Sequence, residues 1–222
     1  MKKKLLYEDK PTGLVFCISL INGFLIFVCL VAILIFGFFA SHSHFKILGS
    51  SMLPTIPSSG YACYIKNGAP FSYGNIVVAN DPQVHTAPVV KRVIALGGDM
   101  IGFYYDHENY HLVLVQNQIG KILEEPYIGE AFFANNASAY NTFIGSNAIA
   151  PKLQNFEFMD TIIKVLPIEH DEVFLMGDNR KVSKDSTYYG AINTQFVQGR
   201  VDYIFPINTP AIKIALKDIF GF

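Results

Sequence analysis

Between Leu14 and Ala40 the chain runs for 27 residues, LVFCISLINGFLIFVCLVAILIFGFFA, without one charged side chain. A helix rises about 1.5 Å per residue, so about 20 apolar residues cross a hydrocarbon core of roughly 30 Å. The segment therefore predicts a transmembrane anchor over 14–40. Lys2, Lys3, Lys4 and Lys10 precede it against Glu8 and Asp9, whereas Ser41, His42, Ser43 and His44 follow it, with Lys46 the only nearby fixed positive charge. The excess of lysine before the span places the basic N-terminus, 1–13, in the cytoplasm and the remainder on the opposite side. A cleaved signal peptide is the rival reading. Its apolar region runs about 7–15 residues and ends in small side chains. Here the run is nearly twice that and ends Phe38-Phe39-Ala40, leaving Ser41-His42-Ser43 as a weak cleavage site. A fully buried core helix of this length is a poor third choice.

The rest of the chain must then fold on its own resources. Its 222 residues allow one or two domains, and 51% hydrophobic against 16% charged residues excludes global disorder. A net charge of −1 argues against nucleic acid as a main partner, because neutralising phosphates requires a lysine and arginine excess. Cys17 and Cys29 lie in the apolar run and only Cys63 outside it. One outer cysteine makes no intramolecular disulfide, and zinc-ligand spacings are absent.

Beyond the anchor, short runs of β-branched and aromatic residues alternate with Gly, Pro and Asn. Segments 61–65, 75–79, 89–94, 101–105, 111–115, 160–166, 172–176 and 200–205 read as strands. Ala131–Gln154, rich in Asn, Ala and Ser, reads as a long loop. The pattern predicts a mainly β protein: a β core from 41–99 and 171–206, an inserted β subdomain over 100–170, and a tail over 207–222. That tail pairs Ile212, Leu216, Ile219 and Phe220 with Lys213, Lys217 and Asp218, and suits either a membrane surface or packing on the domain.

Three constellations carry chemistry. Gly49-Ser-Ser-Met-Leu-Pro-Thr55 puts Ser51 in a small-residue turn before a proline; taken alone, such a serine is usually only a turn residue. Lys91 interrupts the apolar strand Val89–Ile94. It either faces solvent at an alternating position or sits among apolar neighbours, where desolvation lowers a lysine's pKa toward the range of a general base. Met176–Gly190, dense in Gly, Asp, Asn and Ser, is either a tight loop or a loop that delivers hydroxyls and carboxylates to a site held by strands.

Ser-Met-x-Pro-Thr, Lys-Arg-Val-Ile-x-Leu-x-Gly-Asp and Gly-Asp-Asn-Arg-x-x-Ser-x-Asp-Ser, in this order behind one anchor, resemble the bacterial type I signal peptidases, membrane-bound serine peptidases of the Ser/Lys type. The resemblance covers roughly 45–99 and 172–190. It implies an all-β catalytic core with an inserted β subdomain, and neither metal nor organic cofactor. It implies Ser51 as nucleophile, Lys91 as general base and Ser183 as the hydroxyl that orients the lysine. Asp178 and Asp185 match the acidic residues of the last motif, and Gly177 the glycine that gives the lysine room. The Ser51 backbone N–H is the implied oxyanion donor. Because Gly49 stands where some members carry a hydroxyl, a second donor falls to backbone or Ser50. Met52 and Val90 match positions shaping pockets for small side chains. The implied partners are the lipid bilayer and secretory preproteins with an Ala-x-Ala-like cleavage site, and the implied location is a bacterial cytoplasmic membrane with the catalytic domain outside.

Three positions depart from the family pattern. Gly97 stands where proline is usual, which predicts a looser turn. Asn75 replaces a common acidic residue. Thr187 replaces an arginine that pairs with the aspartate matched by Asp185, leaving Arg180, Arg92 or Lys184 as substitutes. The departures keep open a specialised relative, such as a pilin-maturing peptidase of conjugative transfer. A catalytically inactive anchored binding module is the rival from another class, and has no need of Ser51, Lys91 and Ser183 together. The histidines (42, 44, 85, 107, 111, 170) read as surface residues rather than a triad or a metal site, since no His-Glu-x-x-His occurs. Asn136-Ala-Ser138 matches a glycosylation acceptor.

Overall fold

The computed structural model describes residues 12–66, 70–80, 88–128 and 136–206. The chain divides into two compact units, 1–42 and 43–222. The basic residues before Thr12, His85 and the tail 207–222 lie outside the described residues.

In the first unit, the apolar run forms one helix, α1 (Thr12–Ser41). The stretch Val15–Ser41 is long and apolar enough to cross a membrane, and none of its most apolar window is buried by protein. Ser41 Oγ donates back to the Phe38 and Gly37 carbonyls, satisfying acceptors that a helix C-terminus leaves open.

The second unit is mainly β. Seven strands make the first sheet: β1 (His42–Leu48), β2 (Ser59–Lys66), β3 (Ile76–Asn80), β4 (Pro88–Leu96), β10 (Glu172–Met176), β11 (Ile192–Asn193) and β12 (Val197–Pro206), in the order β1-β2-β12-β3-β4-β10-β11. Between β4 and β10 in sequence lie β5 (Met100–Tyr105), β6 (Tyr110–Gln116), β7 (Ile119–Ile122), β8 (Gln154–Phe158) and β9 (Thr161–Pro167), which form a second sheet ordered β7-β6-β5-β9-β8. Each of the eight stretches expected as strands falls on a strand, with 75–79 and 160–166 starting one residue early. The short flanking strands β7, β8 and β11 carry too few apolar positions to stand out.

One buried cluster joins the two sheets. Ile94 and Ala95 of β4 and Phe174 and Met176 of β10 pack with Ile101, Phe103, Leu112, Leu114 and Leu166 from the second sheet. Strand β4 is consequently covered on both faces, and Val90 to Ala95 are buried without a break. That environment takes in Lys91, which is 3% exposed, so the solvent-facing reading of this lysine is overturned.

The long loop expected over Ala131–Gln154 is also corrected. Residues 136–145 form a helix, α2 (Asn136–Gly145), a 3₁₀ turn follows at Ala150–Lys152, and β8 begins at Gln154. Asn136, Ala139 and Phe143 are its buried residues, a spacing of three and four that matches one helical face. Ser, Asn and Thr favour this helix weakly by propensity, and burying Phe143 against Phe103 and Phe174 decides the matter.

Gly97 is not a loosened turn. A β-carbon there would collide with the His170 carbonyl oxygen, so the turn is closed by a backbone approach that only glycine permits. The commoner proline is excluded by the same contact. Gly97→Pro is therefore expected to destabilise the domain by about 1–3 kcal/mol through overpacking, read by urea unfolding in detergent. Phe174→Ala, which empties the joint between the sheets, is expected to cost about 3–5 kcal/mol in the same assay.

Candidate active site

The three sequence constellations meet on β4. Lys91 sits opposite Val77 of β3, and Arg92 pairs with Met176 at the end of β10. The chain leaving β10 at Gly177 turns back beneath the Ser51 turn, where Asn179 N–H donates to the Ser51 carbonyl (2.9 Å) and Asn179 Nδ2 to the Ser50 carbonyl (3.1 Å). Sequence-distant segments thus share one locus because the strand register brings them there.

Lys91 Nζ lies 3.1 Å from Ser51 Oγ, a hydrogen bond between the two side chains. The Ser51 N–H makes no hydrogen bond among the described residues, although its carbonyl is engaged by Asn179. Met52 and Val90 are buried beside them in a cluster with Ile47, Ile56 and Ala62.

Gly177 holds this arrangement at its tightest point. The nearest atoms that a β-carbon would meet there are Ser183 Oγ, the Ser51 carbonyl oxygen and Ser183 Cβ. The room it leaves is thus for Ser183 and the serine turn. Ser183 Oγ is buried and makes no hydrogen bond, so the bond to Lys91 expected from the resemblance is not formed in this structure.

Asp178 is fully buried and bonded twice by Arg92, through Nε (2.9 Å) and Nη2 (2.6 Å). The same guanidinium reaches the Gly74 carbonyl (2.7 Å) and Thr55 Oγ1 (3.4 Å), and stacks 3.8 Å from the centre of the Tyr127 ring. A bidentate carboxylate pair of this kind fixes two segments in orientation as well as distance.

None of the substitutes expected for the partner of Asp185 bonds to it directly, although the Asp185 charge is among those that favour the Arg180 guanidinium. Arg92 is committed to Asp178, Arg180 to Glu125, and Lys184 lies over the Tyr188 ring. Asp185 Oδ1 instead accepts from Thr187 N–H (3.0 Å) and Thr187 Oγ1 (2.8 Å), while Oδ2 accepts from Gly177 N–H (2.9 Å). The threonine that departs from the family pattern is itself the partner, and Asp185 caps the short helix α3 (Ser186–Tyr189). Asn75 behaves likewise: its Oδ1 accepts from Ser72 N–H (2.9 Å), a task a carboxylate would share.

Sequence reasoning missed Glu125, Tyr127 and Asn136. Arg180 is fully buried, with Glu125 paired to its guanidinium, Asn136 Oδ1 accepting at 2.8 Å and the Gly177 carbonyl at 3.1 Å. Burial works against the Arg180 charge, but Glu125 outweighs it and holds the group above its ordinary pKa. Burial, followed by the Glu125 charge, pushes the Tyr127 phenol up. Asn136, 1% exposed and spent on Arg180 and the Tyr110 carbonyl, is closed to glycosylation in the folded domain. The one available signal was Arg180 itself, since a buried arginine requires a counter-charge.

Among the described residues, no group of three or more His, Cys, Asp or Glu side chains is arranged to hold a metal. His107 is exposed, and His111 pairs with Asp106 (2.7 Å) in a turn whose backbone N–H groups hold that carboxyl down to about 2.

Thr187→Val removes one of the three bonds to Asp185 and is expected to cost about 1–2 kcal/mol in unfolding free energy, whereas Thr187→Ser stays close to the parent. Asp178→Ala leaves Arg92 buried without its carboxylate and is expected to cost about 3–5 kcal/mol.

The family model for signal peptidase, peptidase S26, matches residues 17–206. Signal peptidase I of Aquifex aeolicus (strain VF5) is 26% identical over 158 residues, 60% of this chain and 62% of that protein. Signal peptidase I of Streptococcus pneumoniae (strain R6) is 26% identical over 175 residues, 73% of this chain and 81% of that protein. Signal peptidase I S of Bacillus subtilis (strain 168) is 29% identical over 165 residues, 72% and 75% respectively. A crystal structure of a signal peptidase I from Enterococcus faecalis V583 aligns with 60% of this chain and 97% of its own, at 23% identity and a TM-score of 0.38. With the family model matched along 17–206, the chain belongs to the signal peptidase family, peptidase S26, and is a serine peptidase by that membership.

Proposed function

We propose that the chain is a membrane-anchored endopeptidase that removes N-terminal signal peptides from exported preproteins, with Ser51 as nucleophile and Lys91 as general base. The observation that carries this reading is the 3.1 Å contact between Lys91 Nζ and Ser51 Oγ, made by a lysine that is 3% exposed. An amine takes a proton only when neutral, and burial disfavours the ammonium. A serine hydroxyl attacks a carbonyl once such a base removes its proton.

In this mechanism Ser51 Oγ bonds to the scissile carbonyl carbon as its proton passes to Lys91. The ammonium then protonates the departing amine, and the C–N bond breaks to leave an acyl-enzyme. Water, deprotonated by the same lysine, attacks the ester and releases the carboxylate product and Ser51. The Ser51 N–H, which holds no other acceptor among the described residues, donates to the oxyanion, with Ser50 as the second donor. The orienting role that the family pattern gives Ser183 requires its buried Oγ, which makes no hydrogen bond in this structure, to turn toward the amine. Asp178, Asp185 and Gly177 keep the loop closed around these groups.

The substrate is an extended segment laid along a strand edge, with Met52 and Val90 lining pockets for small side chains. α1 crosses the cytoplasmic membrane of a bacterium with the lysine-rich N-terminus inside. Residues 41–99 and 171–206 form the catalytic core, and 100–170 the inserted subdomain.

Ser51→Ala and Lys91→Ala are each expected to abolish cleavage of a preprotein in detergent, with mass spectrometry reading the cut site after an Ala-x-Ala-like sequence. Full activity in either variant overturns the dyad. Adding pilins to the substrate panel separates general processing from a specialised role, and EDTA is expected to leave the rate unchanged.

A further inference from the structure

The three segments that meet at the site are touched by one short strap, residues 125–127, which belongs to none of them. The strap follows β7 and so issues from the second sheet. The Tyr127 carbonyl accepts from Thr55 Oγ1 (3.5 Å), four residues after Ser51. The Tyr127 ring lies 3.8 Å from the guanidinium of Arg92, the residue next to Lys91. Glu125 pairs with Arg180, whose Nε donates to the Gly177 carbonyl (3.1 Å). Tyr127 OH donates to Glu125 Oε1 (3.0 Å), closing the strap on itself.

The electrostatics make this contact costly to release. The side chains of Arg180 and Glu125 are 0% and 2% exposed, so separating them strands two charges in a poorly solvated interior. Asn136 ties the same pair to α2 by accepting from Arg180 and donating to Glu125 Oε2 (3.4 Å). Replacing an ion pair of this kind by apolar side chains of equal volume is often neutral for stability, which leaves the fixing of one geometry as the role to be tested here. The geometry specified here is that of Gly177, against which Ser183 and the Ser51 carbonyl pack.

We propose that residues 125–127 are a clamp by which the inserted subdomain sets the Ser51–Lys91 geometry, with Glu125 as a positioning residue acting through Arg180. The proposal rests on the peptidase reading for its kinetic consequence, though not for its structural one. It makes the second sheet part of the catalytic apparatus rather than an appendage, since the clamp couples it to the serine turn, β4 and the loop after β10 at once.

The test uses the full chain in detergent, with Glu125→Gln as the first variant and a preprotein carrying an Ala-x-Ala site as substrate. A displacement of catalytic groups by about 1 Å lowers the rate about 100-fold, so kcat is expected to fall about 10- to 100-fold. KM is expected to change by less than about twofold, because the substrate pockets are untouched. Amide exchange is expected to quicken across 177–185 and not across β3 and β4. The second variant, Glu125→Leu with Arg180→Met, replaces the pair by apolar side chains and guards against a misfolded single variant. Its melting temperature is expected to match the parent while kcat remains depressed. Parental exchange across 177–185 in Glu125→Gln overturns the clamp, as does a double variant that regains both stability and kcat, since the pair would then serve stability alone. Cleavage by Ser51→Ala at the parental rate would instead overturn the peptidase reading, and the exchange measurement still decides the clamp.

Discussion

The bidentate pair between Arg92 and Asp178 is the joint on which the site is built. It crosses from β4 to the first residues after β10 and locks the two at hydrogen-bonding distance. Because Arg92 follows Lys91, fixing its guanidinium fixes the strand from which the lysine projects. Because Asp178 precedes Asn179, it fixes the backbone that holds the Ser50 and Ser51 carbonyls. Both side chains are largely withdrawn from solvent, so breaking the pair leaves a poorly solvated charge on each side.

Burial around β4 supplies the other half of the arrangement. A strand covered on both faces is normally a run of apolar residues, and this one admits two cations side by side. Their fates differ. Arg92 pairs with a carboxylate, a carbonyl and an aromatic face. Lys91 meets a hydroxyl. Adjacent positions in one strand point to opposite faces, so the Arg92 guanidinium and the Lys91 amine are held on opposite sides of β4.

The β architecture was legible because period-two runs of Val, Ile and Tyr between Gly and Pro leave few alternatives. The long apolar helix was legible from the absence of charge alone. Lys91 could be located but its surroundings could not, since alternation fits a solvent-facing lysine equally well until a second sheet is known to cover the strand. Helix α2 escaped because Asn, Ala and Ser dominate it, and its apolar face becomes meaningful only when Phe103 and Phe174 are present to receive Phe143. Glu125 was hidden for a related reason: its partner lies 55 residues away, and no local pattern marks a carboxylate destined for burial. Asp185 shows the converse, where a missing arginine suggested an unmet charge and a threonine two residues along had already met it.

The position of β12 has a bearing on how the protein is made. This strand, the last one described, inserts between β2 and β3, which lie more than a hundred residues earlier. Until it arrives, β2 and β3 have no bond to one another and the sheet is open at its centre. Closure by so distant a partner is slow relative to local pairing. The serine turn between β1 and β2 is therefore present as chain long before the sheet beside it is closed. The first sheet closes only when residues 197–206 have threaded the gap between β2 and β3.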